Sequence, residues 1–420
     1  CDLTYTQQSI SSDAIPYAVG GIASYIRHNL PGINTSIIKF PEDLIIQLQD
    51  IKSGKLEPPD VIGFSNYIWN FNLAYSFAKQ FYALGKIRPK IIFGGPNFPI
   101  VQNEQRLFLE TYPEIDYYIS KEGEVGWLQL LKLFIDKQCF NPASEDLVCN
   151  VPNIVFLDPD NKSQLFVSEN ERINDVTQLP SPYLDGSLDD FLDGRLLPTI
   201  QTNRGCPFTC TFCTEGQAIW SRISKKNVSL VNQEIDYIHS AMMKLPSQRR
   251  RQDLLIVDSN FGMYPDDLEI CKHISKLQSQ TDWPKYINVA TGKNNKERVL
   301  EAARLTNGAF KLYGSVQSLD PGVLANIKRK NISVESILKL AQSSVEIGAD
   351  SLSEIILALP GDTKETHLSS VRTILEAGFT YLTSYSLILL PGTEMSTPES
   401  RKKYGFRTAY RVIPRAFGYY

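Results

Sequence analysis

Short apolar runs that alternate with amphipathic stretches constrain the fold of this chain more than any other feature. In the first 137 residues, the runs with the length of β-strands are residues 35–40, 60–65, 90–93 and 115–120. The amphipathic stretches that suit helices lie near residues 17–29, 70–84 and 124–136. Strands that alternate with helices indicate a parallel sheet with helices on both faces. The sequence therefore predicts an α/β fold that begins with a doubly wound, Rossmann-like domain over residues 1–137.

This alternation stops over residues 138–195 and resumes at residue 196. Two apolar segments within residues 151–167 flank a turn, which predicts a linker that contains a β-hairpin. Six further strand candidates then follow, at residues 196–203, 254–258, 286–291, 310–317, 354–359 and 383–389. Six βα units predict a partial (β/α)6 barrel over residues 196–395, with its chemistry at the carboxyl ends of the strands. Residues 396–420 are predicted to begin a C-terminal extension.

Composition narrows the class of protein. The 420 residues are 42% hydrophobic and 21% charged with a net charge of -3, which is typical of a globular protein and argues against a nucleic-acid binder. No apolar run approaches the roughly 20 residues of a membrane span, and no secretory signal is visible. The seven cysteines do not form the pattern of a disulfide framework. We therefore expect a cytoplasmic protein. We also expect that its natural start lies upstream, because the first residue is Cys1 and not Met.

Three of the cysteines carry the strongest chemical signal. The segment Cys206-Pro-Phe-Thr-Cys210-Thr-Phe-Cys213 follows the first strand of the predicted barrel. Three thiolates on one loop provide ligands for three irons of a [4Fe–4S] cluster. Because the motif has no fourth cysteine, one iron stays open to a molecule that brings its own amine and carboxylate. A zinc site is the alternative, and it would need a fourth ligand such as Cys271 or His239.

This C-x3-C-x2-C motif, with Phe212 before the last cysteine, resembles the signature of the radical S-adenosylmethionine (SAM) superfamily. The resemblance covers about residues 196–395. It implies that Cys206, Cys210 and Cys213 hold the cluster, and that SAM binds to the open iron beside Phe212. An electron from flavodoxin or ferredoxin would cleave SAM and release a 5′-deoxyadenosyl radical, which abstracts hydrogen from the substrate.

The ends of later strands extend this resemblance and imply contacts to the amino group, ribose, carboxylate and adenine of SAM. The residues concerned are Asp258, Ser259 and Asn260 after the second strand, Ser315 and Gln317 after the fourth, and Leu359, Pro360 and Gly361 after the fifth. The Gly-Gly-Glu triplet that is common in the superfamily is absent after the second strand. Exposed turn residues are the alternative there, and a helix N-cap is the alternative at Ser318.

The N-terminal domain is similar to the cobalamin-binding domain that precedes many radical SAM modules. The residues expected to contact cobalamin are Ser65, Tyr67, Trp69, Asn70, Gly94, Gly95, Pro96 and Glu122. The Asp-x-His-x-x-Gly motif of proteins that ligate cobalamin through histidine is absent, and all four histidines lie in predicted helices. A degenerate domain that has lost cobalamin is the alternative.

Three functions are compatible with these motifs. The first is cobalamin-dependent methyl transfer to an unactivated carbon, with two SAM molecules consumed for each product. The second is radical chemistry without methyl transfer, such as epimerisation, cyclisation or rearrangement. The third is a non-catalytic iron–sulfur scaffold, which would need a fourth ligand to the cluster. The expected substrate is a small molecule or a peptide, and motifs shared across the superfamily do not identify it.

Overall fold

The computed structural model describes residues 1–5 and 12–409, so the part of the predicted C-terminal extension from residue 410 lies outside the described residues. The elements of the N-terminal part are α1 (Tyr17–Asn29), α2 (Pro41–Lys52), β1 (Val61–Ser65), α3 (Phe71–Tyr82), β2 (Lys90–Gly94), α4 (Gln102–Thr111), β3 (Tyr117–Ile119), α5 (Gly123–Lys137), α6 (Ser144–Asn150), β4 (Ile154–Leu157) and β5 (Leu165–Val167).

The N-terminal sheet is doubly wound. Its strands follow the order β1-β2-β3-β4-β5, and the first three are parallel. Residues 1–5 extend this layer beside β1, since the Ser65 amide donates to the Cys1 carbonyl at 2.9 Å and the Cys1 ammonium donates to the Gly63 carbonyl at 2.6 Å. Residues 36–40 lie on the other side of that segment. Chain segments are therefore added on both sides of β1, as expected for the predicted doubly wound sheet. Such sheets bind ligands at the point where the order of the strands reverses.

The predicted hairpin forms, but it belongs to the N-terminal sheet rather than to a separate linker. β4 pairs antiparallel with both β3 and β5. Ile154, Val155 and Phe156 of β4 are all buried. Consecutive buried residues require cover on both faces of a strand. Ile154 and Phe156 pack in a cluster with residues of α5 and α6, and Val155 packs in the cluster that includes Leu109 of α4.

Helix α2 was not predicted, although its start carries recognisable signals. Pro41 occupies the first helical position, and Glu42 and Asp43 lie in the first turn. Proline suits that position because an N–H there would have no partner within the helix. Acidic side chains in the first turn interact favourably with the positive end of the helix dipole. Leu44 and Leu48 bury one face of the helix in the same core as β1 and β2.

The second part contains the strands and helices of the predicted barrel. Its elements are β6 (Thr199–Ile200), β7 (Asn203–Arg204), β8 (Ser224–Lys225), α7 (Val228–Lys244), β9 (Asp253–Phe261), α8 (Pro265–Thr281), β10 (Tyr286–Thr291), α9 (Lys296–Leu305), β11 (Leu312–Tyr313), α10 (Pro321–Asn326), α11 (Val334–Ile347), β12 (Ser351–Leu357), α12 (Lys364–Glu376), β13 (Tyr381–Ser386) and α13 (Pro398–Tyr404).

Six of these strands form the partial barrel. β6, β9 and β10 make one parallel sheet, and β11, β12 and β13 make another. The two sheets meet where the Ile287 amide donates to the Ala309 carbonyl at 2.8 Å, and the Tyr313 amide donates to Thr291 Oγ1 at 2.9 Å. The predicted partial (β/α)6 architecture is therefore confirmed. Among the described helices, none is long and apolar enough to cross a membrane.

Candidate active site

The three motif cysteines lie on the loop that follows β6 and β7. Cys206 and Cys210 are buried, and Cys213 is partly buried. Gly205, just before the motif, has a φ of +103°, and a Cβ there would lie 2.6 Å from the Trp220 carbonyl oxygen. Glycine is therefore needed to place the loop against this segment, to which the Cys206 amide also donates a hydrogen bond of 2.9 Å.

All three cysteines line one cavity of about 330 Å³. Burial raises the pKa of the Cys213 thiol to about 11. A thiol in such surroundings stays protonated at neutral pH unless a metal or a cation stabilises its thiolate. The donor set of this cavity thus fits a group that binds thiolates.

Predicted SAM-binding residues share this cavity. Phe212, Ser259, Ser315 and Gln317 line it beside the cysteines. In the described structure, Gln317 Oε1 and Asn260 Oδ1 are buried acceptors that make no hydrogen bond. Asn260 lines neither this cavity nor the larger one described below; its amide nitrogen lies 3.2 Å from Cys206 Sγ, and its predicted contact with SAM stays a prediction. Because a buried acceptor without a partner is costly, Gln317 Oε1 marks a place in the cavity where a bound donor would fit.

The zinc alternative lacks the ligands that it would need. Cys271 is fully buried in the apolar core of the barrel, and His239 contacts Thr281 Oγ1 at 3.0 Å. Among residues 1–5 and 12–409, neither of them lines the cysteine cavity, and no three His, Cys, Asp or Glu side chains are arranged around a single metal ion.

A second and larger cavity, of about 2000 Å³, lies between the two domains. Its volume exceeds the 300–1,000 Å³ of pockets for drug-sized ligands. The predicted cobalamin-contacting residues that line it are Ser65, Tyr67, Trp69, Gly94, Gly95, Pro96 and Glu122. Asn70 lies behind them and donates to Ser65 Oγ at 2.9 Å. Cys213 and Ser259 line both cavities, so the two cavities adjoin at these residues.

Aromatic and glycine residues shape the N-terminal wall of this interdomain cavity. The rings of Tyr67 and Trp69 stack with their centroids 4.5 Å apart. Gly95 has a φ of +133°, and a Cβ there would lie 2.5 Å from the Asn66 carbonyl oxygen. The stacked rings of Tyr67 and Trp69 therefore give this wall a flat apolar surface. Beside them, the main chain at Gly95 packs against Asn66 so closely that only glycine is tolerated.

Comparison with known proteins identifies the barrel. Residues 200–374 match the family described as the Radical SAM superfamily. The chain contains a radical SAM domain. The superfamily uses SAM and a [4Fe–4S] cluster, as the motif predicted.

Two curated relatives and one solved structure extend the similarity to both domains. The chain is 31% identical over 381 residues to the cobalamin-dependent radical SAM methyltransferase TokK of Streptomyces tokunonensis. This alignment covers 88% of the chain and 52% of TokK. The chain is also 30% identical, with the same coverage, to the 2-(S-pantetheinyl)-carbapenam-3-carboxylate methyltransferase of Streptantibioticus cattleyicolor. The chain therefore spans about half the length of these relatives. The methyltransferase TsrM from Kitasatospora setae superposes with a TM-score of 0.71 at 15% identity, over 97% of this chain and 77% of TsrM, and so shares the fold.

The three predicted SAM contacts of the turn after β12 lie outside the cavity of the radical SAM barrel. Leu359 packs in an apolar cluster with Phe212 and Met395. The Pro360 carbonyl accepts a hydrogen bond of 3.0 Å from the Asn326 amide. In the described structure, neither these two residues nor Gly361 lines the cavity. The turn is therefore placed behind Phe212, and its predicted contact with adenine stays a prediction.

The N-cap alternative at Ser318 is wrong. The Asp320 side chain caps α10 by accepting from the Val323 amide at 2.9 Å. Ser318 Oγ instead accepts from the Asp320 amide at 3.2 Å and so supports the capping residue. Of the two predicted residues nearby, Ser315 donates to Glu354 Oε2 at 2.7 Å, which orients that carboxylate at the edge of the cavity.

Asp258 supports the cysteine loop. It is buried inside β9, where its carboxylate accepts from the Thr202 amide at 2.9 Å, from the Thr202 hydroxyl and from Asn203 Nδ2 at 2.7 Å. Thr202 and Asn203 lead directly into the motif. Within the described residues, Asp258 lines neither cavity and its observed contacts are with the cysteine loop, so its predicted contact with the SAM ammonium stays a prediction.

Changing Asp258 to Asn is expected to alter how stability depends on pH. Burial raises the pKa of Asp258 from 3.8 to about 7. The folded protein therefore holds this proton more tightly, and the stability it contributes is complete below the unfolded pKa and is lost as pH rises to about 7. Asn does not titrate. The free energy of unfolding of the wild type, relative to Asp258→Asn, should fall between about pH 4 and about pH 7 in chemical denaturation, and a constant difference would contradict this assignment.

A buried ion network joins the two domains beside the cysteine motif. Arg204, two residues before Cys206, reaches across to Glu124 Oε1 at 2.6 Å and to Glu122 Oε1 at 3.6 Å. Both carboxylates lie at the start of α5, and Lys121 Nζ adds a hydrogen bond of 2.6 Å to Gln217 Oε1. Burial raises the pKa of Glu122. Sequence analysis missed Arg204, although a basic residue so near the first cysteine was a signal.

Proposed function

We propose that this protein is a cobalamin-dependent radical SAM methyltransferase that acts on an unactivated carbon of a small-molecule substrate. The observation that carries the proposal is the junction of two cavities at Cys213 and Ser259, one lined by the cysteine motif and one by the predicted corrinoid residues. Methyl transfer needs both cofactors near one substrate, and this junction supplies such a place. The names of TokK and of the carbapenam carboxylate methyltransferase support the same reaction class.

In this proposal the barrel binds the cluster and SAM. Cys206, Cys210 and Cys213 would hold the cluster. Gln317 Oε1 would accept a hydrogen bond from the ammonium or a hydroxyl group of SAM, since it lines the cavity and is a buried acceptor with no partner in the described structure. When bound, these groups supply an electron, a hydrogen-abstracting radical and, with cobalamin, a methyl group. An electron donor such as flavodoxin or ferredoxin completes the proposed system.

The N-terminal domain would bind the corrinoid at the edge of its sheet. Ser65 ends β1, next to residues 1–5, where the winding of the sheet changes direction and ligands of such sheets bind. Asp2 Oδ1 accepts from Ser65 Oγ at 2.6 Å, and Asn70 fixes the same hydroxyl. Tyr67 and Trp69 would lie against the macrocycle, and the buried Ser65 hydroxyl would be held in one orientation toward it.

Corrinoid-loaded protein with SAM and a reductant is expected to release two products even without substrate. S-adenosylhomocysteine reports methylation of the corrinoid, and 5′-deoxyadenosine reports radical cleavage of SAM. Slow uncoupled turnover should give both, as measured by mass spectrometry. Protein that has been stripped of corrinoid is the control, and it should give 5′-deoxyadenosine alone.

The alternatives make different predictions in the same assay. Loaded protein that gives 5′-deoxyadenosine without S-adenosylhomocysteine would contradict methyl transfer and favour a non-methylating radical enzyme. Protein that binds iron and releases neither product would favour a scaffold. Iron, sulfide and corrinoid should be quantified in the same anaerobic preparation. A variant with all three motif cysteines changed to Ala should lose iron and retain corrinoid, because different domains would hold the two groups.

A further inference from the structure

Two cationic side chains approach the sulfur of Cys210. Arg329 Nη1 and Lys293 Nζ each lie 3.7 Å from Cys210 Sγ. Arg329 is only 6% exposed. A run of three basic residues such as Lys328-Arg329-Lys330 is typical of a solvated surface, but Arg329 does not fit that description. Its neighbour Lys328 does fit that description, since it is exposed and pairs with Glu394 at 2.7 Å.

The remaining contacts of Arg329 hold its guanidinium in place without neutralising it. Nε donates to Asn331 Oδ1 at 2.8 Å, and Nη2 donates to the Ser315 carbonyl. Asn331 is itself fixed by hydrogen bonds to the carbonyls of Val316 and Ser318. In the part of the chain that the structure describes, no carboxylate forms an ion pair with Arg329. Its full positive charge therefore acts on the sulfur.

Main-chain contacts tie this charge to the cysteine loop. The Thr211 amide donates to the Ile327 carbonyl at 3.1 Å, so the loop and the turn after α10 move together. Lys328 in that turn has a φ of 52°, a left-handed conformation that directs the chain toward the cavity. Lys293, from the loop after β10, lies over the Phe208 ring at 4.5 Å.

The other two cysteines have different surroundings. Cys206 Sγ accepts from the neutral amide of Asn260 at 3.2 Å, and Cys213 is followed two residues later by the acidic Glu215. The positive charge is therefore concentrated at Cys210. Net charge and hydrogen bonds to the sulfurs are among the factors that set the reduction potential of an iron–sulfur cluster.

We propose that Arg329, assisted by Lys293, positions Cys210 and raises the reduction potential of the [4Fe–4S] cluster. Adding one electron makes the cluster more negative, and a fixed cation beside a ligand sulfur stabilises that state. A reductant of low potential, such as dithionite or a flavodoxin, supplies the electron. This inference rests on the cluster-binding part of the proposed function and is independent of methyl transfer.

The test is a reductive titration of reconstituted protein without SAM, followed by electron paramagnetic resonance of the reduced cluster. Arg329→Gln should have a more negative midpoint potential than the wild type at equal iron content. Arg329→Lys should restore part of the difference, because it returns the charge without the planar geometry. Lys328→Gln removes the same charge one residue away on the exposed side, and it should leave the potential unchanged.

Two results would overturn the inference. If Arg329→Gln kept the wild-type potential but bound SAM more weakly, Arg329 would be a ligand of the SAM carboxylate. If Arg329→Gln failed to retain iron, the same titration would be done on Lys293→Gln, since Lys293 approaches the same sulfur. A midpoint potential of Lys293→Gln equal to that of the wild type would also overturn the inference. The absence of S-adenosylhomocysteine from loaded enzyme would count against methyl transfer and leave this result unaffected.

Discussion

Changing any one of Cys206, Cys210 and Cys213 to Ala is expected to remove the iron–sulfur cluster and all cleavage of SAM. Three thiolates must each hold one iron, so the loss of one leaves a second iron open and the cluster unstable. The measurements are iron and sulfide content, the visible absorption of the reconstituted protein and 5′-deoxyadenosine release. The wild type should bind about four irons per chain and bleach in air.

Cys139→Ala and Cys271→Ala are the matched controls. Cys139 is exposed on the N-terminal domain, and Cys271 is buried in the apolar core of the barrel. Both variants should retain four irons and cleave SAM. If Cys271→Ala also lost the cluster, a closed site with four cysteines would replace the open-iron interpretation.

Changing Arg204 to Gln is expected to lower the free energy of unfolding by about 3 kcal/mol, because it leaves a buried carboxylate without its partner. Glu124 is 5% exposed, and its ion pair with Arg204 spans the domain interface at 2.6 Å. Chemical denaturation monitored by tryptophan fluorescence would measure the loss. The variant should also be cleaved faster by proteases in residues 168–198, which connect the domains.

The double variant Arg204→Gln/Glu124→Gln makes this prediction specific. It removes both charges of the Arg204–Glu124 pair, and Glu122 keeps Arg172 at 3.8 Å, so it should be more stable than the sum of the two single changes implies. Lys225→Gln is the matched control. Lys225 pairs with Asp266 at 3.0 Å, but the two side chains are 35% and 45% exposed, so the loss should stay below about 1 kcal/mol. Additive effects in the double variant would mean that the cross-domain pair contributes little.

Local patterns were sufficient for the architecture and for locating the loop that carries the three motif cysteines. The amphipathic stretch at residues 17–29 predicted α1 with both of its ends, and residues 286–291 predicted β10. The cysteine spacing acts over eight residues on a single loop, so the sequence contains all the geometry that it needs. Apart from Asn70, the predicted corrinoid residues also line one cavity, because the carboxyl ends of parallel strands meet at one edge of a sheet.

Asp258 shows where local patterns were insufficient. The sequence predicted that its strand ends at this residue, which would place the carboxylate at the ligand edge. The strand continues to Phe261, so Asp258 lies inside the sheet, where Thr202 and Asn203 surround it. The end of a strand depends on where its neighbouring strands stop pairing with it, and that information lies more than fifty residues away.

Periodicity and short spacings in the sequence were enough to predict the two α/β parts of the fold and to single out the three clustered cysteines. Which charged side chains are buried, and what they face, became visible only in the folded chain. Arg204 and Arg329 look like ordinary surface residues along the chain, yet one crosses the domain interface to Glu124 and the other lies against Cys210 Sγ. The effect of a charge is set by its burial and by the groups facing it, and both arise from contacts between segments that are distant in sequence.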